Sequence, residues 1–111
     1  MRAVCRGILE KQGYEVLEAG TATRASTVLK QNKIDLMLCD LNLPDADGLK
    51  LVEAMRQDPA FATLPVVMVT VESNPELVAR AQRAGVKEWL SKPYDAAALV
   101  KITQRFAGTV Q

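Results

Sequence analysis

Three side chains able to handle an anion stand at matching places in this sequence: Asp40, Thr70 and Lys92. Asp40 and Thr70 directly follow the apolar runs Leu36-Met37-Leu38-Cys39 and Val66-Val67-Met68-Val69, and Lys92 comes one residue, Ser91, after the brief run Glu88-Trp89-Leu90. A carboxylate can act as nucleophile or hold a divalent cation, an ammonium neutralises phosphoryl oxygens as a mobile point charge, and a hydroxyl donates a hydrogen bond to them. Taken singly, each has an ordinary reading. An Asp after a strand is a turn or capping residue, a Thr there reflects strand propensity, and a Lys before a Pro is solvated. Only their meeting at one edge of one sheet makes a site.

The surrounding elements must bring that edge about. Val4, Ile8 and Leu9 share a helical stripe that Gly13 ends. Tyr14 to Ala19 alternates around Val16 and reads as a strand. Thr21 caps a helix to about Gln31, with Ala22, Ala25, Val28 and Leu29 inward. Ile34 to Cys39 is nearly all apolar, the habit of a parallel strand covered on both faces. The turn cluster Leu43-Pro44-Asp45-Ala46-Asp47-Gly48 precedes a helix carrying Leu49, Leu51, Val52 and Met55. Pro65 to Thr70 is a second buried strand, and Asn74-Pro75 opens a helix ending near Ala84-Gly85. Glu88-Trp89-Leu90 is a third apolar run, and Asp95 caps a last helix through about Phe106. Alternating strands and helices specify an α/β architecture, a mostly parallel sheet with helices on both faces. Such sheets bind ligands beyond the carboxyl ends of their strands, where Asp40, Thr70 and Lys92 lie.

Composition narrows the chemistry. The 111 residues are 49% apolar, which suits one domain over residues 1–111, and the net charge of +1 lacks the basic surplus that non-specific nucleic-acid binding needs. There is no histidine, which removes His-based acid–base catalysis, the Ser-His-Asp triad and most zinc sites. Cys5 and Cys39 lie far apart among apolar neighbours and read as buried thiols. No apolar run is long enough to span a bilayer, and the opening Met1-Arg2-Ala3-Val4-Cys5-Arg6 carries no leader pattern, so a cytoplasmic protein is expected.

The chain resembles the receiver domain of two-component response regulators. The resemblance rests on Leu38-Cys39-Asp40-Leu41-Asn42-Leu43-Pro44 with Asp47-Gly48, on Val67-Met68-Val69-Thr70, and on Ser91-Lys92-Pro93-Tyr94. The spacing agrees, with Thr70 lying 30 residues after Asp40 and Lys92 22 residues after Thr70. It implies a flavodoxin-like (CheY-like) fold and a signalling module rather than an enzyme. Asp40 falls on the aspartate that accepts a phosphoryl group from a partner phosphohistidine, carried by a sensor histidine kinase or phosphotransfer protein. Asn42 falls on the residue whose backbone carbonyl joins that aspartate in holding Mg2+. Thr70 falls on the hydroxyl that turns toward the phosphoryl group, Lys92 on the lysine that contacts it, with a cis Lys92-Pro93 bond, and Trp89 on the aromatic switch position. The output face, built from the helix after Thr70, the Trp89 strand and the last helix, implies a downstream protein target, with no direct nucleic acid and no membrane.

Two departures modify that picture. Val71 replaces the small residue usual beside the hydroxyl, and crowding there should slow phosphotransfer and hydrolysis. The family's first strand, with its terminal acidic pair, has no counterpart before the first helix, so the fold is expected to be N-terminally truncated and the Mg2+ site weakened. The loss also leaves a gap in the expected 2-1-3-4-5 sheet. Direct pairing of Tyr14–Ala19 with Ile34–Cys39 would close it, or a second copy would, and self-association into a homo-oligomer is the favoured outcome. The alternative to a phosphorylated receiver is a pseudo-receiver, a protein-interaction module that is not phosphorylated. A flavodoxin-like enzyme is disfavoured, because no phosphate loop follows a first strand.

Overall fold

A computed structural model of the chain describes residues 2–71 and 74–108, with side chains from Cys5 onward. The Val4 side chain expected on the first helical stripe lies outside the described residues. The elements run α1 (Arg2–Lys11), α2 (Ala22–Gln31), β1 (Met37–Cys39), α3 (Gly48–Met55), a 3-10 turn (Pro59–Phe61), β2 (Val66–Thr70), α4 (Pro75–Arg83), β3 (Glu88–Ser91) and α5 (Ala96–Ala107).

Local chemistry sets the helix boundaries. Thr21, Asp47, Asn74 and Asp95 each adopt extended backbone and accept a hydrogen bond from an N–H of the following first turn. Such caps satisfy donors that would otherwise have no intrahelical partner. Pro75 follows its cap at a position where a missing N–H costs nothing. Gly13, at φ 92°, supplies the left-handed residue that ends α1.

The three strands form a parallel sheet in the order β1-β2-β3. Cys39 pairs with Met68, Met68 with Trp89, and Thr70 with Ser91. Side chains of β2 are buried along its whole length, as a central parallel strand requires. Val66 and Met68 join a core cluster with Leu29 of α2, Leu49, Val52 and Met55 of α3, and Ala81 of α4. Strand alternation turns Val67 and Val69 to the opposite face. α1 and α5 pack against each other, each with a buried leucine, Leu9 and Leu99. The expected layering and the βα alternation from Ala22 onward are what the chain forms.

Residues 14–19 correct one expectation. They are not a strand: the Tyr14 N–H donates to the Leu9 carbonyl at 3.2 Å, and among the described residues no backbone ladder ties this segment to β1. A period-two pattern makes a strand only where a neighbour supplies the ladder, and β1 has its ladder on the β2 side. The direct pairing that would have made a four-stranded sheet is therefore absent among the described residues. The strand expected over Ile34–Cys39 also shortens to Met37–Cys39.

Candidate functional site

The carboxyl ends of the strands deliver the polar groups. Asp40 follows β1, and its Oδ2 lies 2.6 Å from the Nζ of Lys92, which follows β3. Its Oδ1 accepts from the Asn42 N–H at 3.1 Å, so both carboxylate oxygens have defined partners. The Lys92 side chain is only 9% exposed, against 37% for Asp40. The solvated lysine of the isolated reading is thus a sheltered cation whose stem is covered and whose head meets a carboxylate at the surface.

Thr70 closes β2 and is completely buried. Its carbonyl accepts from the Lys92 N–H at 2.9 Å, which fixes the two strand ends in register. The Lys92-Pro93 peptide is cis. Trp89 sits half-buried against the core cluster, level with Met68 in the sheet. Val71, next in the chain after Thr70, is 65% exposed.

The loop after Asp40 is tied down on three sides. Gly48 N–H donates to the Leu41 carbonyl at 2.7 Å, and Leu43 N–H to the Ala46 carbonyl at 3.2 Å. A Cβ on Gly48 would stand 2.1 Å from the Asp40 carbonyl oxygen and 3.1 Å from Cys39 Sγ, so only glycine lets α3 start this close to β1. Asp45 reaches across to α2, accepting from Ala22 N at 2.7 Å and from Thr23 N and Oγ1 at 3.1 and 3.0 Å. Those bonds, the one from Ala22 foremost, hold its carboxyl below the usual carboxylate range. Asp47 divides its oxygens, Oδ1 capping Leu49 N at 2.7 Å and Oδ2 meeting Arg80 of α4 at 3.2 Å. Arg80 also grips Glu53 of α3 with two bonds of 2.7 and 3.0 Å, which draws the Glu53 carboxyl down. Beneath the site, burial pushes the Cys39 thiol up to about 12, with Asp40 and Asp47 adding to the effect.

Sequence reasoning singled out Asp40, Thr70, Lys92, Asn42 and Trp89; the structure places Asn42 and Lys92 each against the Asp40 carboxylate, and Thr70 against Lys92 through its backbone carbonyl. It missed Arg80 and the tether of Asp45 to α2. The carboxylates in Asp45-Ala46-Asp47 were visible as turn residues, but nothing in the spacing announces partners on two different helices.

The donors for a cation are few. No group of three or more His, Cys, Asp or Glu side chains converges among the described residues. Asp40 brings one carboxylate, already engaged by Lys92, and Asn42 a carbonyl. Mg2+ takes octahedral oxygen ligation through one or two carboxylates with waters and phosphate oxygens, so these residues fit it poorly by themselves.

With this geometry established, comparison with known proteins fixes the class. The response regulator receiver domain pattern matches residues 1–104. The chain belongs to that family, as a CheY-like receiver domain of the two-component response regulators. It is 33% identical to the chemotaxis protein CheY1 of Helicobacter pylori over 111 residues, covering 98% of this chain and 90% of that one. It is 33% identical to CheY-3 of Vibrio cholerae over 100 residues, covering 89% and 77%. Among solved structures, V. cholerae CheY4 superposes with a TM-score of 0.89 at 30% identity, covering 95% of this chain and 88% of that one. The receiver domain of the sensor histidine kinase PA1611 of Pseudomonas aeruginosa superposes at 0.86 with 25% identity, covering 97% and 88%, and was solved with a magnesium ion in its active-site cleft. Receivers are signalling modules, not enzymes of the usual kind. No helix among the described residues is long and apolar enough to cross a membrane.

Proposed function

We propose that residues 1–111 act as one receiver domain in which Asp40 accepts a phosphoryl group from a phosphohistidine on a sensor histidine kinase or phosphotransfer protein. The observation that carries this reading is the sheltered Lys92 ammonium held 2.6 Å from the Asp40 carboxylate. An Asp40 oxygen attacks phosphorus as the P–N bond to the donor imidazole breaks, and the imidazole leaves with the bonding pair. The carboxylate becomes an acyl phosphate, and Lys92 passes from the carboxylate to the new phosphoryl oxygens. Thr70, at the neighbouring strand end, supplies a hydroxyl to the same group. Trp89 and the α4, β3 and α5 face carry the change to a downstream protein target. Mg2+ binds at Asp40 and the Asn42 carbonyl only weakly, because one carboxylate serves it.

The test is labelling with acetyl phosphate across a magnesium series. One acid-labile phosphoryl group is expected, appearing only at high magnesium and abolished by Asp40→Asn. Labelling that survives Asp40→Asn overturns the assignment. The small cation donor set favours a second reading, a pseudo-receiver that binds its partner without phosphorylation. Absence of labelling at every magnesium concentration, in a protein that still binds a partner, selects it.

A further inference from the structure

The first turn of α2 takes partners that its own cap does not supply. Thr21 serves the later donors, its hydroxyl accepting from the Arg24 N–H at 3.1 Å and its carbonyl from the Ala25 N–H at 3.0 Å. The two donors ahead of these belong to Ala22 and Thr23, and Asp45 meets both from 23 and 22 residues further along the chain. Its Oδ1 accepts from the Ala22 N–H at 2.7 Å, and its Oδ2 from the Thr23 N–H and hydroxyl at 3.1 and 3.0 Å. A carboxylate forked over two successive amides at the positive end of a helix is fixed in direction as well as in place.

Asp45 lies in a narrow loop whose base is Asp40. The loop closes on itself through Gly48 N–H to the Leu41 carbonyl at 2.7 Å, Leu43 N–H to the Ala46 carbonyl at 3.2 Å, and an antiparallel bridge between Asn42 and Asp47. At the base, the Asn42 N–H donates to Asp40 Oδ1 at 3.1 Å, while Lys92 holds Oδ2 at 2.6 Å. Asp47 fastens the α3 side of the loop, and among the described residues the hydrogen bonds from residues 42–46 to any helix run through Asp45 alone. A loop so bonded internally shifts as one piece, so the seat of Asp45 sets the direction of the Asn42 N–H.

We propose that Asp45 is a positioning residue for Asp40, seated on α2 so that the Asn42 N–H orients the carboxylate for attack on a phosphoryl donor. The inference rests on the reading of Asp40 as acceptor. One bond from Lys92 would leave the carboxylate free to turn about its Cβ–Cγ axis, and the second bond, from Asn42, stops that rotation. An oriented oxygen is what in-line attack requires. If Asp45 served only as a second cap, its loss would be felt in α2 and not at Asn42 or in the reactivity of Asp40.

Hydrogen exchange of the Asn42 amide, read by NMR on the isotopically labelled chain, tests this beside the initial rate of acetyl phosphate labelling at fixed high magnesium. In Asp45→Ala the amide should exchange at least about tenfold faster and labelling should slow about tenfold. Asp45→Asn keeps the shape with one acceptor oxygen and should fall between. Thr23→Ala, a change on α2 itself, should move both readouts the same way by about threefold. These two variants carry the test if Asp45→Ala does not fold. Asn32→Ala deletes the bond to the Val28 carbonyl at the other end of α2 and should leave both readouts unchanged. Unchanged Asn42 exchange in the folded Asp45 variants overturns the proposal, as does faster exchange without slower labelling. An equal response in Asn32→Ala overturns it too, since that would mean general loosening of α2. If the unaltered chain takes no label, the acceptor reading fails, and Asn42 exchange still decides whether Asp45 positions the carboxylate.

Discussion

Arg56 is the most informative residue to remove, although it lies away from the site. Its side chain follows α3 and donates to four backbone carbonyls: Ala84 at 2.9 Å, Phe61 at 2.8 Å, Leu64 at 2.7 Å and Gly85 at 3.2 Å. It thereby joins the end of α3, the 3-10 turn and the loop that leads from α4 into β3, the strand before Lys92. No carboxylate shares these bonds, and burial lowers the pKa of the guanidinium without neutralising it. Arg56→Met keeps much of the apolar stem and deletes every donor. Three of the bonds are partly shielded; at about 1 kcal/mol each, after allowing for water that takes the donor's place, the loss comes to about 3 kcal/mol. That is a large share of a total stability of about 5–15 kcal/mol and should lower Tm by about 10–20 °C. Urea denaturation should show the midpoint falling with the slope unchanged. Arg56→Lys should recover less than half, since an ammonium cannot reproduce the fork that reaches carbonyls on separate segments. A loss under about 1 kcal/mol in Arg56→Met would refute the reasoning, because it would mean that water serves these carbonyls as well as the guanidinium does.

Gly48→Ala should cost about 2–3 kcal/mol or more and reduce acetyl phosphate labelling, because the new methyl meets the Asp40 carbonyl oxygen rather than a movable side chain; denaturation and labelling together check it. Lys92→Met and Asp40→Asn should be non-additive in a double-mutant cycle by about 1 kcal/mol or more, measured by urea unfolding. The coupling follows from the shelter of the Lys92 side chain, which is only 9% exposed. The Cys39 thiol, raised by burial to about 12, should resist iodoacetamide at pH 8 while the chain is folded and react once it is unfolded. Because the unfolded thiol ionises near 9 and the folded one does not, the unfolded state holds fewer protons between about pH 9 and 12, and this group's contribution to stability falls as pH rises through that window.

Helix starts were legible because their causes are local. Thr21, Asn74 and Asp95 cap helices by bonds to residues two or three positions ahead, which a linear reading can see. The 3-10 turn at Pro59 has the same kind of signal in Asp58, which accepts from Ala60 N, but the reading passed over it. Tyr14–Ala19 misled for the opposite reason: alternation records where side chains point and says nothing about whether a neighbouring backbone is there to pair. The site was legible as strand-end residues because parallel topology sends every strand's carboxyl end to one edge. Arg56 and Arg80 were not, since an arginine's partners lie on segments some 5 to 33 residues away in sequence and leave no periodic trace.

The double grip of Arg80 gives α4 a fulcrum. Its guanidinium is fastened to Glu53 and Asp47, both on α3 or its cap, about midway along α4. The first turn of α4, from Pro75, lies on the Thr70 side of that anchor, and the last turn on the other. A push delivered near Thr70 would therefore tilt α4 as a lever about Arg80 instead of sliding it, and its two ends would swing in opposite directions. Releasing Glu53 alone leaves the pivot on Asp47, whereas releasing Asp47 also uncaps α3, so the two carboxylates do not substitute for one another.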